Sequence, residues 1–152
     1  MAISPRKPRK KKSPLTKAKE DCWKAFSIYI RTRDCIRFRN KLDEGMCVTC
    51  KRIYPFKELQ AGHFIQGRKN SVLLDERIVY TQCYSCNGNP PFGLGGNYVE
   101  YYVFMLHEWG QEMIDEFRAL KHKTVIYKTF DYIRMEQEFK DKTEALINAY
   151  SA

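Results

Sequence analysis

Two C-x-x-C units, Cys47-Val48-Thr49-Cys50 and Cys83-Tyr84-Ser85-Cys86, constrain this chain more than any other feature in it. A C-x-x-C turn brings two sulfurs to one metal, and two such turns complete a tetrahedron. Thiolate sets of this kind select zinc in cells. In a reducing compartment paired C-x-x-C units point to metal rather than to disulfides. The 32 residues between the units exceed the roughly 15 to 20 of a simple zinc ribbon. A structural zinc on Cys47, Cys50, Cys83 and Cys86 should therefore clamp the base of something larger, with functional residues inside the loop. The competing reading is four core cysteines paired by coincidence. Cys22 and Cys35 have no such partners and read as small buried hydrophobes.

The chain has 152 residues, one domain's worth, of which 43% are hydrophobic. It contains no run near the ~20 apolar residues of a membrane span, and no apolar stretch follows the N-terminal charges as in a secretory signal. A soluble intracellular protein with no membrane partner is expected. The net charge of +9 is concentrated at one end. Residues 1–19 hold Arg6, Lys7, Arg9, Lys10, Lys11, Lys12, Lys17 and Lys19 with no acid, leaving 19 basic against 18 acidic residues elsewhere. This basic, Pro-containing segment is expected to be a disordered tail when free. It suits a phosphate backbone, with binding that weakens steeply in salt. Composition alone also fits a solubilising tail or a nuclear-localisation signal.

Residues 20–152 read as a single domain. The pattern is helical from about Lys17 to Phe38, with Trp23, Phe26 and Ile30 on one face and Lys24, Arg31 and Arg33 interleaved. Short strands and turns are expected over residues 46–65, and another short apolar run over 72–80. The Gly- and Pro-rich stretch from Gly88 to Gly96 must be a loop. Asn97 and Glu100 then have the spacing of a capping box, before a helix with Tyr98, Tyr101, Tyr102, Met105 and Leu106 on its apolar face. Further helices are expected over 111–120 and from 130 to about 150. The architecture predicted is α+β, a small zinc-stapled β-rich centre between an N-terminal helix and C-terminal helices.

Of three histidines, only His63 lies between the cysteine pairs, and Asn87 directly follows the second pair. A C-x-x-C hairpin, a strand histidine and a second C-x-x-C followed by His or Asn resembles the HNH nuclease pattern, with its ββα-metal core. More narrowly, Asp21–Cys35, Glu58–Arg68, Leu73–Arg77, Gln82–Asn87 and Gly95–Tyr101 occur in the order of motifs of the phage NinG, or Rap, recombination family. The resemblance spans about residues 20–110. It implies a branch-specific, metal-dependent DNA endonuclease acting on Holliday junctions and related intermediates, in the bacterial host cytoplasm. It makes His63 the general base, a residue type tuned near neutral pH. It makes Asn87 a ligand, through its neutral carbonyl oxygen, to a catalytic Mg²⁺ or Mn²⁺.

Three departures accompany the resemblance. The position before the catalytic histidine, which usually carries an acidic or histidine ligand, is Gly62, so Asp75 or Glu76 is the candidate replacement. The motif's middle Asn is replaced by Ile78. A G-N-P-P-F-G insertion follows Asn87 and makes Asn97 a rival metal ligand. Each residue also has a plainer reading: His63 as a packed strand histidine, Asn87 and Asn97 as helix caps, Asp75 and Glu76 as solvated turn acids. His107 and His122 read as surface residues. Arg68 and Lys69, with Lys24, Arg31, Arg33 and the tail residues Arg6, Lys7, Arg9, Lys10, Lys11 and Lys12, are the expected DNA contacts, reading phosphate rather than base. Branched or duplex DNA is the expected partner, and a homodimer would suit symmetrical cutting of a four-way junction. The alternative function is a non-catalytic zinc module that binds DNA or scaffolds other proteins.

Overall fold

The computed structural model describes residues 4–152. Residues 1–3 of the expected tail lie outside the described residues. Residues 4–13 have no regular secondary structure, but the first helix takes up the rest of the segment expected to be tail. Helix α1 covers Pro14–Arg39. Pro14 occupies the first turn, where its missing N–H costs nothing, and the Ser13 hydroxyl caps the Thr16 amide at 3.1 Å. At the other end Asn40 adopts the left-handed conformation (φ 51°) and returns its N–H to the Cys35 and Ile36 carbonyls.

The centre of the molecule is two small antiparallel sheets. Strands β1 (Glu44–Met46) and β2 (Ile53–Pro55) pair with Gly45 opposite Tyr54, and the first C-x-x-C forms the turn between them. Strands β3 (Leu59–His63) and β4 (Val79–Cys83) pair from Leu59 opposite Cys83 to His63 opposite Val79. Their connection carries the short helix α2 (Asn70–Leu73), and β4 runs directly into the four-residue helix α3 (Tyr84–Asn87). Helices α4 (Tyr98–Trp109), α5 (Gln111–Leu120) and α6 (Thr129–Ser151) complete the chain. The mixed helical and antiparallel character agrees with the α+β reading. Among the described residues, no helix is long and apolar enough to cross a membrane.

A hydrophobic core joins the helices to the β3–β4 pair, and the four cysteines with Tyr54 form a second, smaller cluster. Helices α1 and α6 run side by side in the same direction. Phe139 of α6 meets the Phe26 ring edge-on at 4.9 Å, and the Tyr150 hydroxyl reaches the Asn40 carbonyl at the far end. Phe26, Ile30, Val72, Ile78 and Val79 are fully buried, each side chain contributing about 1.5–3 kcal/mol of burial free energy. Tyr101 of α4 is the keystone beneath the β3–β4 pair. Its hydroxyl donates to the Gly62 carbonyl at 2.7 Å and accepts the Tyr80 N–H at 3.0 Å. The Tyr98–Tyr102 stripe is thus partly core, as its helical spacing suggests.

Two expectations change. Asn97 is at the start of α4, but with φ 49° its side chain does not cap the helix, so the capping box with Glu100 is absent. Arg33 is not a surface cation. Its guanidinium donates to the Glu76 carbonyl at 2.7 Å and the Val79 carbonyl at 2.9 Å, and pairs with the fully buried Asp34 at 2.7 Å. Asp34 in turn accepts the Thr81 N–H at 2.9 Å. This fork fastens the β3–β4 connection to α1, with Ile78 buried beneath it.

Candidate metal centre and histidine cleft

The four cysteines converge. Cys47 and Cys50 come from the β1–β2 turn, Cys83 from the end of β4 and Cys86 from α3, and the four sulfurs all lie within 4.8 Å of one another. The Cys50–Cys83 Sγ separation is 3.8 Å, the edge of a tetrahedron with zinc–sulfur bonds of about 2.3 Å. Val48 N–H donates to the Thr81 carbonyl at 3.0 Å, tying the turn to β4. Cys47, Cys83 and Cys86 are buried.

The surrounding hydrogen bonds have the polarity that a thiolate set needs. Gln82 Nε2 donates to Thr49 Oγ1 at 3.2 Å, which leaves the Thr49 hydroxyl proton for Cys47 Sγ, also at 3.2 Å. Asn97 Nδ2 donates to Cys86 Sγ at 3.5 Å. Burial opposes ionisation of Cys47, yet the amides of Cys50, Cys83 and Thr49 and the Thr49 hydroxyl outweigh it and bring the thiol down to about 7. Burial lifts Cys50 to about 12. Cys47 is thus eased toward the thiolate, and a bound dication would supply the field that ionises the set. The donor set, the spacing and the second layer of donors fit a structural zinc. Cys22 and Cys35 lie apart from this cluster, and burial raises both thiols to about 11.

Beside the cluster an open cleft of about 800 Å³ runs along β3, which lines it with Leu59, Gln60, Ala61 and His63 in succession. Asn87 and Asn89 face it from beyond β4, and Trp23, Ser27 and Arg31 from α1. The structure thus brings His63 and Asn87 to one cavity. His63 Nε2 lies 2.9 Å from the Leu73 carbonyl. A carbonyl can only accept, so Nε2 carries the proton and Nδ1 is left as the basic nitrogen. The imidazole also stacks on Trp23, with centroids 5.2 Å apart and 20° between the planes. Burial pulls the His63 pKa below its ordinary value. The Leu73 carbonyl opposes this shift, and nearby Arg68 adds to it. Asn87 Nδ2 donates to Gln60 Oε1 at 2.8 Å, which fixes the amide and leaves Oδ1 free to accept.

A Cβ at Gly62 would meet Gln82 Oε1, so an acid before His63 would require the buried Gln82 side chain, bonded to the Gly96 carbonyl, to shift. The two proposed replacements do not reach the cleft either. Asp75 pairs with Arg77 at 2.7 Å and also accepts the Arg77 N–H, while Glu76 pairs with Lys142 of α6 at 2.9 Å. Neither lines the cleft. Asn97 serves Cys86 rather than His63.

The basic residues separate into three groups. Arg31 and Arg68 line the cleft, Arg31 over the Phe56 ring at 4.6 Å and Arg68 over Trp23 at 4.9 Å. Lys24 lies outside the cleft on α1, and Lys69 Nζ donates to the Lys121 carbonyl at 3.3 Å. Arg6, Lys7, Arg9, Lys10, Lys11 and Lys12 are exposed, with Lys12 paired to Glu20. His107 and His122 are exposed and are not part of the cleft lining. Sequence reasoning missed Gln60, Asn89 and Tyr98 as lining residues, and the role of Trp23 beneath the imidazole. The Gln60 contact follows from the β3–α3 approach and has no sequence signal of its own.

A family model described as Bacteriophage Lambda NinG protein matches residues 3–149. No curated protein and no solved structure matches the chain.

Proposed function

The chain belongs to the NinG family, and from that premise we propose that it is a metal-dependent, structure-specific DNA endonuclease cleaving Holliday junctions and related branched recombination intermediates. The observation that carries the reading is His63, with Nε2–H held by the Leu73 carbonyl and its ring lining the same cleft as Asn87. The order β3, β4, α3 is compatible with an HNH-like ββα core, with the zinc cluster at its base. In this reading Nδ1 of His63 takes a proton from water as that water attacks the phosphorus and the phosphorus–oxygen bond to the leaving strand breaks. The depressed pKa keeps the imidazole neutral and ready to act near pH 7. Trp23 holds the ring plane, and Arg31 and Arg68 hold the phosphodiester. Asn87 Oδ1 would hold a Mg²⁺ or Mn²⁺, which supplies charge neutralisation at the leaving oxygen. The α1 lysine Lys24, Lys69 and the N-terminal cations would contact neighbouring DNA arms without reading sequence, and a second copy of the chain would allow paired cuts.

The absence of any carboxylate from the cleft lining favours a second reading, a zinc module that binds DNA without cutting it. Incubation of a labelled four-way junction and a linear duplex with the protein, with Mn²⁺ or with EDTA, separates the two. The nuclease reading expects metal-dependent cutting of the junction, reduced about 10²- to 10⁴-fold by His63→Ala with junction binding retained. Shifted but intact DNA under every condition would establish the binding module.

A further inference from the structure

A second cavity, of about 830 Å³, adjoins the histidine cleft, and Trp23 and Arg68 line both. One wall is the face of α1 that carries Leu15, Lys19, Trp23 and Lys24. The other includes Val125, Ile126 and Tyr127, from the irregular segment between α5 and α6. That segment is tied down: Asn70 Nδ2 donates to the Val125 carbonyl at 3.0 Å, and Asn70 Oδ1 accepts the Tyr132 hydroxyl at 2.7 Å. The lining combines two chemistries. Four cations, Lys12, Lys19, Lys24 and Arg68, stand against one acid, Glu20, which Lys12 already pairs at 2.6 Å. Among them Leu15 is 44% and Ile126 81% exposed, and Trp23 and Tyr127 offer half-buried rings. Apolar side chains exposed singly are ordinary; here they share one groove with aromatics and cations.

A duplex arm would use only half of this lining. It presents phosphates outward and keeps its base faces stacked, so the lysines would find partners and the apolar wall would not. An unpaired strand uses both halves: its backbone suits a positive groove, while its bases leave water against aromatic and apolar side chains. Resting on the nuclease reading above, we infer that this groove takes unpaired nucleotides of the strand that carries the scissile phosphate. Arg68, over the Trp23 ring at 4.9 Å, belongs to cleft and groove alike, so a cation holds the backbone where the strand passes from one to the other. Selection for branched DNA then follows from access. Only a strand freed from its complement beside a branch point can bring bases to Ile126 and Tyr127. Fully paired DNA still meets the lysines, through contacts that salt screens.

The test is binding of the zinc-loaded chain, without added Mg²⁺ or Mn²⁺, to two labelled four-way junctions. One is fully paired; the other carries a short run of unpaired thymidines in one strand at the branch point. The second should bind at least about fivefold tighter, the gain expected of one stacked base. Ile126→Ser should remove most of that preference with the melting temperature unchanged, since Ile126 is exposed. 5-Iodouracil in place of an unpaired thymine should photo-crosslink to Trp23 or Tyr127. Equal affinity of the wild-type chain for the two junctions overturns the inference, as does a preference that survives Ile126→Ser. An equal loss on both junctions also overturns it, because it puts a duplex arm in the groove. Mn²⁺-dependent cutting by the wild-type chain, assayed in parallel on the paired junction, separates the two readings. Cutting without the binding preference sinks only this inference; the preference without cutting sinks the nuclease reading, while the groove keeps its occupant.

Discussion

The cysteine cluster and the histidine cleft are neighbours built on opposite terms. The cluster has four donors of one type, mutually close, mostly buried and served by N–H and O–H groups from Thr49, Gln82 and Asn97. It needs only an ion. The cleft has one histidine with a fixed tautomer, one oriented amide and two guanidiniums, and it is open to solvent. A site that holds a fold together must be complete before any partner arrives. The cleft is instead left open, with guanidiniums as its charged side chains. The same sheet, β3–β4, serves both: Cys83 ends one strand opposite Leu59, and His63 ends the other opposite Val79.

The comparison breaks most visibly at the cluster. Structural zinc contributes about 10–16 kcal/mol of apparent binding free energy in small zinc modules, more than the whole stability of most domains. Cys83→Ser, or removal of zinc by a chelator, should therefore unfold the β1–β4 centre. Metal analysis should find one zinc per wild-type chain, and thermal melting of the variant should lose the cooperative transition. A Cys83→Ser protein that melts like the wild type would show the cluster to be four packed thiols.

A smaller effect distinguishes frame from cleft within one turn of α1. Arg33 and Arg31 both stand on that helix, but only Arg33 is clamped to Asp34 and to two carbonyls. Arg33→Ala leaves the buried Asp34 charge without its partner and should cost about 3–5 kcal/mol of stability. Arg31→Ala should cost less stability, since its head group makes one hydrogen bond, to the Ser27 carbonyl, and a cation–π contact with Phe56, and should weaken DNA binding. Urea denaturation and a junction-binding titration on both variants make the test. Equal destabilisation would erase the distinction.

This pair also marks the limit of what the sequence could tell. The cysteines were legible because two-residue spacing fixes a local turn whatever the rest of the chain does. His63 was legible because it is the lone histidine within their loop. Helical periodicity located α1 but could not say that Arg33 faces a carboxylate and Arg31 a cavity, because that depends on which element packs across. Nor could it place Asp75 and Glu76. Both are acids in a loop of the right neighbourhood, but Asp75 is taken by Arg77 beside it and Glu76 by Lys142 of α6, which is far away in sequence. The α1 start was hidden by the charge of the tail, although Ser13-Pro14 is a helix-start signal. Asn97 had the spacing of a cap, but its left-handed backbone took the side chain to Cys86 instead.

The smallest expected effect concerns pH. His63 is held below its ordinary pKa by burial and then by Arg68, against the hydrogen bond from its ring to the Leu73 carbonyl. Protonation is therefore harder in the folded chain than in the unfolded one. The unfolded state takes up the proton first as pH falls. The neutral imidazole's contribution to stability is thus intact above about 6.5, the ordinary histidine value, and is lost as pH falls through the lower folded value. If His63 is the base, the cleavage rate should stay level below pH 6.5 before falling. Arg68→Gln removes one of the two causes and should move that acid limb to higher pH. Arg68 is exposed, so its influence should also fade with added salt. The pH–rate profiles of wild type and Arg68→Gln, each at low and high ionic strength, test this. Coincident acid limbs at low salt would show that burial alone tunes the imidazole, leaving Arg68 to bind phosphate.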